Sequence, residues 1–185
     1  MSKNPHTKLG TMNSVSDMLK VWQAHTDYEF VTHDVKATMQ TMTENPHLVN
    51  VPVGIGGRGF EQVQNFYANY FVGHSPKDVT ITLLSRTVGT DRVVDEILFS
   101  FTHDIEMPWI LPGIAPTGKH VQIPLVAIVS FRDNKIESEH IYWDQASVLV
   151  QIGILEAKKL PILGAAQPLK LTDPAEPLNT LITGE

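Results

Sequence analysis

The chain of 185 residues contains no cysteine. That absence removes disulfides, thiolate metal sites and cysteine nucleophiles together, and it favours a reducing compartment. Positive charge is also scarce: 14 Lys and Arg stand against 20 Asp and Glu, a formal charge of -6. Nucleic acid and anionic membranes reward basic patches, and here basic residues never interleave with aromatics, so neither is an expected partner. No long uncharged apolar run is present to span a bilayer, and Met1 to Gly10 lacks the apolar core of a secretory leader. The expectation is a soluble cytoplasmic protein.

Several chemical motifs are missing as well. Neither H-E-x-x-H nor H-x-H occurs among the eight histidines, and Gly73-His-Ser-Pro-Lys77 lacks the final glycine of a nucleophile elbow. Gly54 to Gly59 fits G-x-G-x-x-G, but Pro52 interrupts the strand before it, Asp78 precedes rather than ends the next strand, and the later strands are antiparallel. That segment reads as a tight strand-to-helix turn. No metal and no cofactor is expected.

What is present is enough apolar material, 42% of residues, for one core. Ser14 with Asp17 three residues on opens a helix carrying Val15, Met18, Leu19 and Trp22 at helical spacing, and Asp34 caps a second, shorter helix. A strand candidate from His47 to Val53 leads to a third helix with Phe60, Val63, Phe66, Tyr67, Tyr70 and Phe71 along one stripe. From Lys77 the period changes to two, with strands at Asp78 to Val88, Arg92 to Met107, His120 to Arg132 and Lys135 to Trp143, joined by turns that fit antiparallel neighbours. Residues 1–13 are expected to be a flexible start, 14–155 a single domain, and 156–185, rich in proline, an extended arm, loose or laid over a neighbour. The fold class is α+β: a curved antiparallel sheet wrapped around the N-terminal helices as a cone with an internal pocket.

Strand alternation locates candidate chemistry. Ile136, Ser138, His140, Tyr142 and Asp144 share a face, and the pair Glu137 and Glu139 marks the opposite face as the outer one, with Ile141 and Trp143. On the second long strand Asp95, Phe99, Phe101 and His103 run with the apolar set. His140, Tyr142 and Asp144, together with Asp95 and His103, are therefore expected to point into the pocket. A buried Asp-His pair can also serve structure alone, and Asp144 is equally suited to cap a helix beginning near Gln145. In the catalytic reading Asp144 is the acid/base, His140 and His103 polarise or relay, Tyr142 donates, and Asp95 orients His103. Phe101, Asn50, Tyr67 and Trp109 are candidate substrate contacts, Trp109 from the apolar connection Met107 to Gly113. Ile141 and Trp143, exposed among charges, would be covered by a second copy in a homodimer.

The order helix, helix, strand, helix, meander, ending on Tyr142-Trp-Asp144, resembles the nuclear transport factor 2-like superfamily, whose fold is a cystatin-like α+β barrel. Within it the chain resembles the SnoaL-like polyketide cyclases, in which the aspartate at the place of Asp144 is the acid/base. The strings Arg86-Thr-Val-Gly, Phe101-Thr-His103, Leu111-Pro-Gly113, Ala115-Pro-Thr-Gly118 and His140 to Gln151 resemble SnoaL-like domains found beside dienelactone hydrolases. The resemblance implies a cofactor-independent isomerase, cyclase or lyase acting on a small apolar carbonyl or lactone compound. The other readings are a non-catalytic ligand-binding domain and a dimeric accessory domain partnering a hydrolase.

Overall fold

The structure, a computed structural model, describes residues 14–184; the expected flexible start, residues 1–13, lies outside them. Helix α1 (Val15–Phe30) is capped by Ser14, whose hydroxyl accepts from the Asp17 amide at 3.0 Å. Its buried stripe is Met18, Trp22, His25 and Glu29. Asp34 caps α2 (Val35–Gln40) in the same way, accepting from the Ala37 amide. Helix α3 (Phe60–Phe66) continues as a π-helical turn through Phe71, and Gly73 at φ +80° ends it.

Six strands form one unclosed, curved sheet in the order β2-β1-β6-β5-β4-β3. They are β1 (Met42–Asn50), β2 (Ile55–Arg58), β3 (Thr80–Val88), β4 (Arg92–Thr102), β5 (His120–Arg132) and β6 (Lys135–Trp143). The fold is α+β as expected, but the sheet is mixed, because β1 runs parallel to β6. The glycine-rich segment is a strand rather than a turn, pairing antiparallel with β1. Its glycines are there for contact: a Cβ on Gly56 would sit 2.0 Å from the Leu48 carbonyl oxygen, and one on Gly57 would lie 2.6 Å from the backbone of α3. Side chains that never appear cannot announce a strand by alternation.

Two bulges decide which side chains face the helices. In β6 the register passes from Ser138 opposite Ser130 directly to Ile136 opposite Phe131, leaving Glu137 as an extra residue. In β3 it passes from Leu83 opposite Ile97 to Ser85 opposite Glu96, leaving Leu84 extra. Each inserted residue reverses the alternation beyond it. The expected faces of β6 are therefore exchanged: Glu139, Ile141 and Trp143 face inward, and His140 and Tyr142 lie on the outer face. Glu139 is buried and Tyr142 is 41% exposed. This also corrects the dimer argument, since Ile141 and Trp143 already pack inside their own chain.

The sheet and α1 and α3 enclose a core of Met18, Trp22, Val63, Phe66, Phe99, Ile123, Val129 and Ile136, among others. The connection between β4 and β5 supplies Met107, Trp109, Ile110 and Leu111, all buried. Gln145, at the start of α4 (Gln145–Gln151), ties that connection down by donating to the Ile110 carbonyl and accepting from Trp143 Nε1. The C-terminal segment is not a plain extended arm: it folds in short turns, buries Gly164 and Pro168, and sends Gln167 back to Asp144 at 3.1 Å.

Candidate active site

Across the inner face of the sheet, backbone pairing sets Arg86, Asp95, Ala127, Ile141 and Asn50 in one row over five strands. Ala127 leaves the middle of the row shallow, and above it lies a cavity of about 390 Å³. Its walls are largely apolar, with Leu48, Phe66, Phe71, Ile97, Phe99, Trp109 and Leu125. Val31, Ile81 and Leu83, all exposed, form part of its rim. The polar lining includes Trp22, Glu29, Asn50, Arg86, Asp95, Trp109 and Glu139, with Gln23, Thr26 and Asp27 of α1.

One polar group is a closed ion pair. Arg86 donates from Nε to Asp95 Oδ1 at 2.6 Å and from Nη2 to Oδ2 at 2.7 Å, and Trp22 Nε1 donates to Oδ2 at 2.8 Å. The bulge at Leu84 is what turns Arg86 to the cavity side, three residues after Leu83. Hydrogen bonding to Asp95 holds the guanidinium still more firmly charged. Asp95 is thus occupied and does not orient His103. Eight residues of extended chain separate the two by roughly 26 Å, too far for any side-chain contact.

The second polar group was not anticipated. His25 and Glu29 from α1, Tyr67 from the end of α3 and Glu139 from β6 meet in the interior, none more than 5% exposed. His25 Nε2 lies 3.1 Å from Glu29 Oε1, 3.1 Å from Glu139 Oε1 and 3.0 Å from the Tyr67 hydroxyl, which itself donates to Glu139 Oε1 at 3.0 Å. On the other side of the ring, Nδ1 is 2.6 Å from Thr41 Oγ1. The Thr41 hydroxyl spends its proton on the Thr38 carbonyl at 2.6 Å, so it accepts from His25, and Nδ1 must carry a hydrogen. Nε2 is left facing two carboxylates.

The electrostatics follow from that geometry. Burial alone would lower the His25 pKa, but the charges and hydrogen bonds of Glu139 and Glu29 overturn this and push it up to about 10. Burial raises the Glu29 carboxyl, against the opposing pull of His25, and burial with the two carboxylates pushes the Tyr67 phenol well above its usual range. An imidazolium between two carboxyls can give its Nε2 proton to one of them and take a replacement from the other, so the group can move a proton across itself. The donor atoms of His25, Glu29 and Glu139 also lie within 4.8 Å of one another, so among the described residues this is the group that could hold a metal ion. Positions 25, 29 and 139 are too scattered for any ligand motif to reveal it.

The residues expected to be catalytic lie elsewhere. Asp144 caps α4, accepting from the Ala146 and Ser147 amides, from the Ser147 hydroxyl at 2.6 Å and from Gln167. His140 is on the outer face, its ring 5.2 Å from that of His47. His103 is buried beyond the end of β4, with Nδ1 3.2 Å from Thr117 Oγ1, and burial lowers its pKa. Phe101 is fully buried against Phe99. Of the expected substrate contacts, Asn50, Asp95 and Trp109 line the cavity, Tyr67 belongs to the buried group, and Tyr142 faces outward. A signal for His25 and Glu29 was available: continuing the stripe Met18 and Trp22 by helical steps lands on both.

Comparison with known proteins agrees with this architecture. Residues 22–139 match the SnoaL-like domain family. No curated protein matches the sequence. Among solved structures, TsrD from Streptomyces laurentii is similar with a TM-score of 0.61 and 17% identity, over 77% of this chain and 99% of that one. A protein of ketosteroid isomerase-like fold from Catenulispora acidiphila has a TM-score of 0.56 and 18% identity, over 74% and 94%. SalBIII, an epoxide hydrolase/cyclase-like enzyme with a role in pyran ring formation in the polyether salinomycin, has a TM-score of 0.53 and 20% identity, over 70% and 92%. At these identities the likeness is one of fold.

Proposed function

The chain belongs to the SnoaL-like domain family, and within it we propose an enzyme of isomerase, cyclase or lyase type that moves protons on a small, largely apolar carbonyl or lactone compound. The observation that carries this reading is His25 Nε2 at 3.1 Å from both Glu29 and Glu139, with both carboxyls on the cavity wall. In the proposed cycle Glu139, which already accepts a hydrogen bond from Tyr67, takes a proton from a substrate carbon. Glu29, whose pKa burial raises, delivers a proton at a second position. His25 then passes the proton from Glu139 back to Glu29, restoring the starting state with no co-reactant. If the carbanion attacks a carbonyl of the same molecule, the same cycle closes a ring and protonates the resulting alkoxide. The acid/base role expected of Asp144 thus passes to a histidine-glutamate group.

The apolar walls support the substrate class, and the absence of cysteine excludes a thiolate nucleophile. The proposal includes a cytoplasmic homodimer, supported by half-buried Leu98, Val126 and Ile128 and exposed Tyr142 on the outer face of the sheet. Among the described residues no helix is long and apolar enough to cross a membrane.

The test is deuterium uptake from heavy water into a panel of enolisable ketones and lactones, followed by mass spectrometry. Wild type should catalyse uptake into a subset, and Glu139→Gln should reduce the rate about 100-fold or more. Equal rates in the two proteins would refute the assignment. Binding without exchange would point to a ligand-binding module instead.

A further inference from the structure

Most polar groups of the cavity wall are already engaged. Asp95 is held by Arg86 and Trp22, and Glu29 and Glu139 by His25. Two lining side chains are different. Asn50 Nδ2 and Trp109 Nε1 are buried, 2% of each residue is exposed, and neither nitrogen has a partner among the described residues. Both are N–H donors, and the indole has no acceptor to offer. Buried donors left unmatched are costly, so what complements them is an acceptor on the molecule that occupies the cavity.

We propose that Asn50 and Trp109 form the oxygen subsite of the cavity, donating to a carbonyl oxygen of the substrate and to the negative charge that gathers there when its neighbouring carbon loses a proton. Trp109 is suited to a fixed donor role because its ring is wedged against Phe71, Phe99 and Trp143 at centroid distances of 5.1, 5.5 and 6.2 Å. A donor that need not reorient during reaction stabilises developing charge most effectively. Asn50 stands beside Ile141 in the sheet, two residues along β6 from Glu139. One strand spacing and two residue steps put the Asn50 and Glu139 Cα atoms roughly 8 Å apart. After allowing for a hydrogen bond at one end and carbon-to-carboxylate contact at the other, that interval spans only two or three bonds of substrate. The carbon that yields its proton is then α to the carbonyl, two bonds from its oxygen, and the intermediate is an enolate. This inference rests on the acid/base reading for the fate of the proton; the donor subsite itself rests on burial and missing partners.

The experiment compares equilibrium binding of 2-naphthol, a stable aromatic analogue of an enol, with that of naphthalene, which lacks the oxygen. It is run in wild type and in Glu139→Gln, whose neutral amide imitates the base after proton uptake. The ratio of the two affinities isolates the oxygen contribution and cancels any general loss of the apolar site. Asn50→Leu and Trp109→Phe should each cut the 2-naphthol preference by about tenfold to a hundredfold while leaving naphthalene binding nearly unchanged. Asn50→Asp, which keeps the size and replaces the donor by a carboxylate, should reduce it at least as much and serves if the leucine variant folds poorly. An unchanged preference in the variants, or no preference in wild type, would overturn the subsite and leave the Glu139→Gln exchange result standing. A donor-dependent preference together with full deuterium exchange in Glu139→Gln would keep the subsite and remove the acid/base assignment.

Discussion

Asp95→Asn should lower the melting temperature by about 6–12 °C. The carboxylate is 4% exposed and accepts three short hydrogen bonds, two from Arg86 and one from Trp22. Asparagine retains one acceptor oxygen, so the bidentate Arg86 contact becomes single, and in either orientation its amide group faces a guanidinium N–H, donor against donor. Losing one charge-assisted bond costs about 1.5–3 kcal/mol, and an unmatched buried amide about 1–3 kcal/mol. Relief from burying a carboxylate offsets part of this, leaving about 3 kcal/mol, in line with other buried pairs that lose one member. For a chain of this size each kcal/mol moves the midpoint by about 2–4 °C. Differential scanning calorimetry at pH 7 measures it, with Trp22→Phe as the companion variant. Trp22→Phe alone should cost about 1–2 kcal/mol, and distinctly less when Asp95 is already asparagine, because the bond it breaks is then weakened. A fall of less than about 2 °C for Asp95→Asn would show that the three bonds are not cooperating as described.

Three further outcomes are expected. The folded pKa of His25, about 10, lies above its ordinary 6.5; its ion pairs therefore stabilise the fold fully below pH 6.5 and progressively less up to pH 10, and the raised Glu29 carboxyl adds a penalty of the same sign. Urea midpoints should fall from pH 6.5 to pH 10, and a flat or rising profile would contradict the buried triad. Asp144→Asn should keep the α4 cap, losing about 1 kcal/mol or less, and retain deuterium exchange; a hundredfold loss of exchange in a folded variant would restore Asp144 to the chemistry. Gly56→Ala should destabilise by about 2–4 kcal/mol, since its Cβ would lie 2.0 Å from the Leu48 carbonyl, and a circular-dichroism melt matching wild type would show that the β1–β2 pairing can part without cost.

Much of the architecture could be read from pattern. Strands β5 and β6 begin and end where alternation places them, and Ser14 and Asp34 cap the helices that their positions announce. Alternation failed where a strand spends a residue on a bulge. Glu139 carries a charge and looks like a surface residue until its partners on α1 and α3 are known, and those partners lie more than 70 residues away. The catalytic reading of Asp144 rests on strand alternation and on resemblance together, while the local physics of an aspartate just before a helix points to the cap that it forms. Strand β2 escaped notice because four residues with two glycines have no alternation to detect.

The bulge at Glu137 gives this strand a spare residue. Removing it would leave Ile136 opposite Phe131 and Ser138 opposite Ser130 in a regular ladder, so Glu139 would still face inward and His140 and Tyr142 outward. The polar group under the helices therefore depends on where β6 is anchored on either side of the bulge and not on the bulged residue itself, and a relative one residue shorter at position 137 would keep the same inward set.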